Sequence, residues 1–337
     1  CFSNRGQPAL PHRLIMNFLH PITPDRPWLA PLAGYSDLPF RLLCRAQGCA
    51  VAVTEMISAK GLIYGSPGTR ELLLTCRQDD PLVVQLFGAE ESFLLASIAQ
   101  LRQSGFRYFD LNCGCSVRKV VRTGSGAALL KDPGHLLRLA KSLVQAVEPG
   151  CMGFKIRLGW SHDQPVYLRI GQELDQSGAG WITMHPRYAT QGFTGHADWK
   201  HLALLKTKVG FPVVASGDLF HAEDGIRCIE QTGVDGLMFA RGALNDPGIF
   251  KRYLLARQGQ PLVSKKPHEM LAMVRKLCGL YTEHGMDRLG ILKMRTLVPR
   301  LFKGIPGTKE LRREIVFCKS WEDVLCALQA CPVSTSL

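Results

Sequence analysis

The residues with chemical potential fall in short runs, and the runs recur at one place in a repeating pattern. Two thiols stand two positions apart behind a carboxylate and an amide, in Asp110-Leu111-Asn112-Cys113-Gly114-Cys115. Thiols as a class can act as nucleophiles or hand over a proton and be recharged, so this run could supply covalent or acid–base chemistry. Elsewhere come Ala30-Pro31-Leu32-Ala33-Gly34, Thr54-Glu55-Met56, Gln85, Lys155 with Arg157, His185 with Arg187, Ser216-Gly217-Asp218 and Ala240-Arg241-Gly242. Each group lies at the end of a short apolar run. A charged or amide side chain at nearly every such place is hard to explain as packing.

The elements that carry these groups can be read from periodicity. Strand-type runs lie at 28–31, 50–54, 82–86, 107–111, 152–156, 181–184, 211–215 and 235–239. Helical patterns fall between and after them, at 37–47, 91–104, 134–147, 165–178, 197–207, 221–232 and 246–257. Several of these helices close on glycine signals. Eight strands separated by helices predict a (β/α)8 TIM barrel. The competing fold, a doubly wound sheet, would usually carry a Gly-rich dinucleotide turn after its first strand, and Ala33-Gly34-Tyr35-Ser36-Asp37 is no such turn. In a barrel the C-terminal ends of the strands share one mouth, where all the groups above would converge.

Two features of that mouth suggest a ligand. Phosphate in this fold commonly sits on the loops after strands seven and eight, and Ser216-Gly217-Asp218 and Ala240-Arg241-Gly242 occupy those loops. Their glycines would let backbone approach a phosphorylated cofactor closely, with Arg241 supplying charge. Lys155 and His185 would project into the mouth from adjacent strands. A lysine there needs an anionic partner or a lowered pKa, and an anionic reduced flavin would be such a partner.

Composition bounds the alternatives. The chain has 337 residues, 46% of them hydrophobic, enough for a large core. No apolar run reaches the roughly 18 residues of a membrane-spanning helix, and the N-terminal region lacks the apolar core of a secretory signal. Twelve cysteines are scattered without the paired C-x-x-C spacing of a zinc site, which suits free thiols and a cytoplasmic location. The net charge of +13 favours a polyanionic partner. From Lys251 onward there are 16 Lys and Arg against seven Asp and Glu. That same region changes pattern: helical periodicity at 267–284, 289–302 and 320–331 has no strand between. The expected organisation is an irregular N-terminal extension (1–26), a barrel (27–260), a short linker, and a basic helical domain (267–335).

Taken in order, these motifs resemble those of the tRNA-dihydrouridine synthase family. Leu29 to Arg41 reads LAPLAGYSDLPFR against a family pattern LAPMAGxTDxPFR, and residues 110–130 read DLNCGCSVRKVVRTGSGAALL against DxNMGCPxxKVxxxGxGSALL. Thr54-Glu55-Met56, Val84 to Gly88, Lys155-Ile156-Arg157, His185-Pro186-Arg187 and the two phosphate loops follow in the family's order. The resemblance spans about residues 27–335. Three positions depart: Cys113 replaces the usual Met, Ser116 the usual Pro, and Ser216 a frequent Asn. The first adds a thiol that could compete, the second could loosen the loop presenting Cys115, and the third changes one flavin contact.

The resemblance implies an enzyme that holds FMN in the mouth, reduces it with NADPH or NADH, and passes hydride to uracil carbon 6 in tRNA. Cys115 would protonate carbon 5. Pro31, Ala33, Gln85, Lys155, His185, Ser216, Gly217, Asp218, Ala240, Arg241 and Gly242 would bind the flavin. Asn112 would hold the uridine, Arg187 would lie near substrate or flavin phosphate, and Arg288, Lys293 and Arg295 would contact tRNA. No membrane and no obligate protein partner are expected. Two rival readings remain open at this point. One is an FMN barrel oxidoreductase for a small molecule, which would have no need of a basic tail. The other is a tRNA-binding protein with impaired catalysis, for which Cys113 and Ser116 leave room.

Overall fold

The computed structural model describes Leu19 and residues 21–332. It contains nine strands: β1 (Trp28–Leu29), β2 (Val51–Val53), β3 (Ile57–Ser58), β4 (Leu82–Phe87), β5 (Tyr108–Cys113), β6 (Met152–Arg157), β7 (Trp181–His185), β8 (Val213–Ser216) and β9 (Gly236–Phe239). All pair in parallel, in the order β2-β1-β9-β8-β7-β6-β5-β4, and β4 returns to β2 to close an eight-stranded ring. β3 stands outside the ring and extends the end of β4, with Ile57 opposite Leu86. The TIM barrel expected from the alternation is therefore present, with all eight predicted strands.

Alternation of side chains divides the core in two. Trp28, Val51, Val53, Val83, Tyr108, Cys151, Trp181, Val214 and Met238 fill the barrel interior. Their neighbours in sequence, such as Leu29, Ala52, Val84, Phe109, Ile182 and Leu237, face the surrounding helices. This is the period of two that strands impose. Along the inward positions the chemistry changes from base to mouth. On β5 the order is Tyr108, Asp110, Asn112; on β6 it is Gly153, Lys155, Arg157, with Cys151 just before the strand; on β7 it is Trp181, Thr183, His185.

The indoles of Trp28 and Trp181, 5.5 Å apart between centroids, form an apolar floor beneath the polar layer. Gly153 makes room for it, since a Cβ there would lie 1.9 Å from Cε2 of Trp181. Leu19 and Ile22 join the same cluster, and Tyr253 Oη donates to the Pro24 carbonyl at 3.0 Å. The described part of the expected N-terminal extension thus packs on the barrel; residues 1–18 and 20 lie outside the described residues. Several elements were not anticipated: β3 and the helices Ala59–Ile63, Thr69–Leu72, Arg118–Val121, Arg241–Asn245 and Lys309–Glu314. Each is too short to show a hydrophobic period.

Beyond the barrel, helices Pro267–Glu283, Asp287–Leu301, Lys309–Glu314 and Trp321–Gln329 pack together. They dock onto the loop after β1. Tyr281 Oη donates to Asp37 Oδ2 at 2.8 Å, and the same carboxylate caps helix Leu38–Arg45 through the Phe40 N–H. Lys293 Nζ lies 3.1 Å from Asp37 and 3.8 Å from Glu55, and donates to the Gly34 carbonyl.

Two expected tRNA contacts need correction on this ground. The Lys293 side chain is only 12% exposed, with its ammonium held between barrel carboxylates. Arg295 directs Nε and Nη2 to the Cys318 carbonyl, at 3.0 and 2.8 Å, and so fastens two helices of the domain to each other. Both arginine and lysine count toward net charge, yet neither offers that charge freely to a partner. Arg288 is exposed.

The floor yields a stability prediction. Gly153→Ala should lower unfolding free energy by about 1–3 kcal/mol, the cost of overpacking a filled core. An unchanged urea midpoint would show that Trp181 can shift at no cost.

Candidate active site

The polar layer opens into a cavity of about 220 Å³ at the C-terminal ends of the strands. Pro31, Ala33, Gln85, Asn112, Cys115, Lys155, His185, Ser216, Gly217, Asp218, Ala240 and Arg241 all line it. Of the residues given a catalytic, cofactor or substrate role from sequence, only Gly242, Arg187, Arg288, Lys293 and Arg295 do not.

The thiol loop leaves β5 and is clamped on every side. Asn112 Oδ1 accepts from the Gly114 and Cys115 N–H groups, at 3.1 and 2.9 Å. Arg157 Nε donates to the Gly114 carbonyl at 2.9 Å, and Ala127 N–H to the Cys115 carbonyl at 2.9 Å. Gly126, at φ +62°, permits that return, because a Cβ would stand 2.6 Å from the Cys115 oxygen. None of these bonds involves position 116. A serine there in place of proline leaves the clamp complete. Cys113 is no competitor: it points to the outer core, fully buried, and burial pushes its thiol well up.

Behind the loop runs a chain of amides. Asn112 Nδ2 donates to Gln85 Oε1 at 2.8 Å, and Gln85 Nε2 donates to Asp110 Oδ2 at 2.7 Å. Asn112, expected to hold uridine, thus gives its oxygen to the loop backbone and one N–H to Gln85; an amide has one further N–H.

The opposite side is cationic. Burial, and then the charge of Arg157, push Lys155 down to about 8. Burial and then Arg187 push Arg157 down to about 10. Arg157 Nη1 donates to the carbonyls of Tyr188 and Gly192, at 3.0 and 2.8 Å. His185 is held far below its ordinary value by burial first, then by Lys155 and the three arginines, so it is neutral. Its Nε2 lies 3.0 Å from Arg187 Nη1, and because arginine only donates, Nε2 must accept and the proton must sit on Nδ1.

Arg187 is the clearest departure from expectation. Nε donates to Thr194 O; Nη1 to His185 Nε2 and Asp218 Oδ1; Nη2 to Gly195 O and Asp218 Oδ2. Five donors meet five protein acceptors at 2% side-chain exposure, which leaves none for a substrate or flavin phosphate. Arg187 instead fixes the loops around it. Burial pushes the Asp218 carboxyl up, but the Arg187 hydrogen bonds, the Ala197 N–H and Arg241 outweigh it and hold the group below its usual range.

The glycines also meet a packing constraint within the protein. At Gly217, φ +113°, a Cβ would lie 2.5 Å from the His185 ring; at Gly242 it would lie 2.3 Å from the Leu219 carbonyl. They serve close packing of the protein on itself.

Sequence reasoning named Arg157 but gave it no role, although it shares the inward face of β6 with Lys155. Phe193 escaped notice. It is 61% exposed, with the guanidinium carbons of Arg241 and Arg157 at 4.6 and 5.5 Å from its ring centroid. Its one signal was an aromatic set between turn residues in Gln191-Gly192-Phe193-Thr194-Gly195. In sum the mouth sets Lys155, Arg157, Arg187 and Arg241 against Asp110 and Asp218. Apolar walls from Ala30, Leu32, Met56 and Met238 complete it. Such a slot fits a ligand with a flat apolar face and negative charge.

The chain was compared with known proteins. The family described as "Dihydrouridine synthase (Dus)" matches residues 28–335. The tRNA-dihydrouridine synthase B of Pseudomonas aeruginosa is 31% identical over 294 residues, 86% of this chain and 88% of that protein. A probable tRNA-dihydrouridine synthase of Aquifex aeolicus is 31% identical over 301 residues, 88% of this chain and 93% of that one. Among solved structures, an old yellow enzyme homologue from Zymomonas mobilis aligns at TM-score 0.49 and 11% identity, covering 74% of this chain and 95% of that one.

The geometry makes the two neighbouring thiols experimentally distinct. Brief iodoacetamide treatment of the native protein should alkylate Cys115 and spare Cys113, as read by peptide mass mapping. Equal labelling of both would contradict the placement of Cys113 in the outer core.

Proposed function

Because the chain belongs to the dihydrouridine synthase family, we propose that it binds FMN in the barrel mouth, draws on NADPH or NADH, and reduces uridines of tRNA to 5,6-dihydrouridine. The observation that carries this reading is a thiol whose loop backbone is fixed by four hydrogen bonds at the rim of a cationic, partly apolar slot.

The residues present fit such a cofactor. Lys155 stays largely protonated at neutral pH, and the His185 Nδ1–H and the Gln85 amide are polar groups for a ring edge. Arg241, with backbone at Ser216, Gly217 and Ala240, is the natural holder of a phosphate, and Pro31 and Ala33 bound the slot on the other side. Once reduced by the nicotinamide, FMN held there would supply hydride for uracil carbon 6. Cys115 then delivers its proton to carbon 5, so hydride and proton together saturate the double bond. Asn112 and Arg157 hold the thiol loop in place as this occurs, and the second Asn112 N–H, which in the protein alone meets only the weak acceptor Met56 Sδ at 3.9 Å, is the one to turn to the pyrimidine.

The target base must leave its stack to reach the slot, and contacts elsewhere on tRNA have to offset that cost. In the helical domain Arg288, Arg300, Lys303, Lys309, Arg313 and Lys319 are exposed and can meet phosphates. They replace Lys293 and Arg295 in that role. A small-molecule oxidoreductase would have no use for this basic face. No helix among the described residues is long and apolar enough to cross a membrane, and the free cysteines among them suit the cytoplasm, where tRNA resides.

The test is dihydrouridine formation in bulk tRNA with reduced nicotinamide, followed by mass spectrometry. Cys115→Ala should lower turnover by about a hundredfold or more, the scale of a lost general acid, while the purified protein keeps a flavin absorbance. Turnover of orotate or enones with none on tRNA would overturn the reading. Binding of tRNA should fall steeply with salt, and Arg300→Ala should reduce that slope by about one.

A further inference from the structure

We propose that Asp110 is a positioning residue for Cys115, its buried carboxylate fixing the polarity of the Gln85–Asn112 amide chain that holds the thiol loop. The inference takes Cys115 as the proton donor of the reading above. Asp110 lies on β5 beneath the cavity, is buried, and does not line the slot. Its Oδ2 accepts from Gln85 Nε2 at 2.7 Å, while Oδ1 has no hydrogen-bond partner among the described residues.

The argument rests on what each group can do. An ionised carboxylate only accepts, so it takes the nitrogen end of the Gln85 amide. The Gln85 oxygen must then face Asn112, which meets it with Nδ2 at 2.8 Å. The Asn112 oxygen is thereby turned to the Gly114 and Cys115 N–H groups. Reading from the other end gives the same polarity, because those two N–H groups can be met only by an oxygen. Reversing either amide would set donor against donor somewhere along the chain, in a buried place where an unmet polar group is costly. A carboxylate in the barrel interior is itself expensive, and hydrophobic packing would fill the position as well. Lys155, opposite Asn112 on β6, is the cation that faces it, and Cys113 on its own strand also feels its charge. Burial pushes the carboxyl up to about 7, against the Gln85 hydrogen bond and Lys155, so the ionised, accept-only form prevails above that pH, and the reactivity measurements below belong on that side of it.

A swap of the two ends separates this role from mere packing. Gln85→Glu places two acceptors face to face. Adding Asp110→Asn to it restores a donor, since the new amide can give its N–H to the new carboxylate, and the Asn112 end keeps its polarity. The measurement is the rate at which iodoacetamide modifies Cys115 in the purified protein, followed by peptide mass mapping, with kcat and KM on tRNA alongside. Alkylation should quicken about tenfold in Gln85→Glu, in the range of coupled buried pairs, and return to within about twofold of wild type in the double variant. A double variant as reactive as Gln85→Glu, or more so, overturns the proposal. Should Gln85→Glu fail to fold, a folded double variant with wild-type reactivity supports it, and a double variant that also fails overturns it. If wild-type protein shows the alkylation pattern but reduces no tRNA, the functional reading fails and this inference stands.

Discussion

Taking positive charge out of water at one end of a barrel is the constraint around which this molecule is arranged. Lys155, Arg157 and Arg187 project from β6 and the turn after β7 into the same small volume as the neutral His185; Arg157 lowers the proton affinity of Lys155, Arg187 that of Arg157, and all three that of His185. Desolvated cations of this kind need nearby acceptors. The structure supplies them asymmetrically. Asp218 takes both ends of the Arg187 fork and one arm of Arg241, while Asp110 sits below and opposes only Lys155. Backbone carbonyls of residues 188–195 satisfy much of the rest. What is left over is a net positive slot. The loops are therefore built partly by the charge that the site requires, and a ligand carrying phosphate would complete the balance.

The parts of this arrangement that could be read from sequence are those set by local rules. Strand positions follow from alternation that survives in β4 to β9 because one face meets an indole floor and the other a helix layer. Strand-end residues such as Gln85, Lys155 and His185 stood out because packing does not explain them. Arg187 looked the same by that criterion, and its actual role depends on carbonyls at 194 and 195 and a carboxylate at 218, which no spacing rule brings together. Lys293 failed for a related reason. A basic residue on an amphipathic helix belongs to whichever face docks, and the docking is decided by Asp37 and Glu55, more than two hundred residues earlier. Gly217 and Gly242 stood out in sequence as places for close backbone approach, and the ring and the carbonyl that they approach within the protein lie beyond any spacing rule.

The helical domain is more than an appended basic surface. It is fastened to the loop after β1 through Tyr281 and Lys293, and Asp37 receives both while capping the first barrel helix. Arg300 and Lys293 also lie over the Tyr35 ring, at 5.3 and 6.0 Å. That loop continues from Pro31 and Ala33, which bound the slot. Contacts made by macromolecular substrate on the helices are thus connected to the rim of the mouth by a short run of hydrogen bonds within one rigid turn. The cationic face and the reactive slot share a support.

That support differs in kind on the two sides of the slot. The thiol side is held by bonds to Asn112, Arg157 and Ala127, from three separate elements, and its orientation is determined twice over by donors and acceptors that cannot exchange roles. The Phe193 side is an exposed aromatic resting on two guanidinium groups, a contact that is sequence-tolerant and weakly directional. A proton donor must be placed to within a fraction of an ångström of its target, whereas a rim that receives a bulky partner has to yield. Proline at position 116 would stiffen a loop that hydrogen bonds already fix: the rigidity lies in the backbone of residues 114 and 115, not in the ring that is missing.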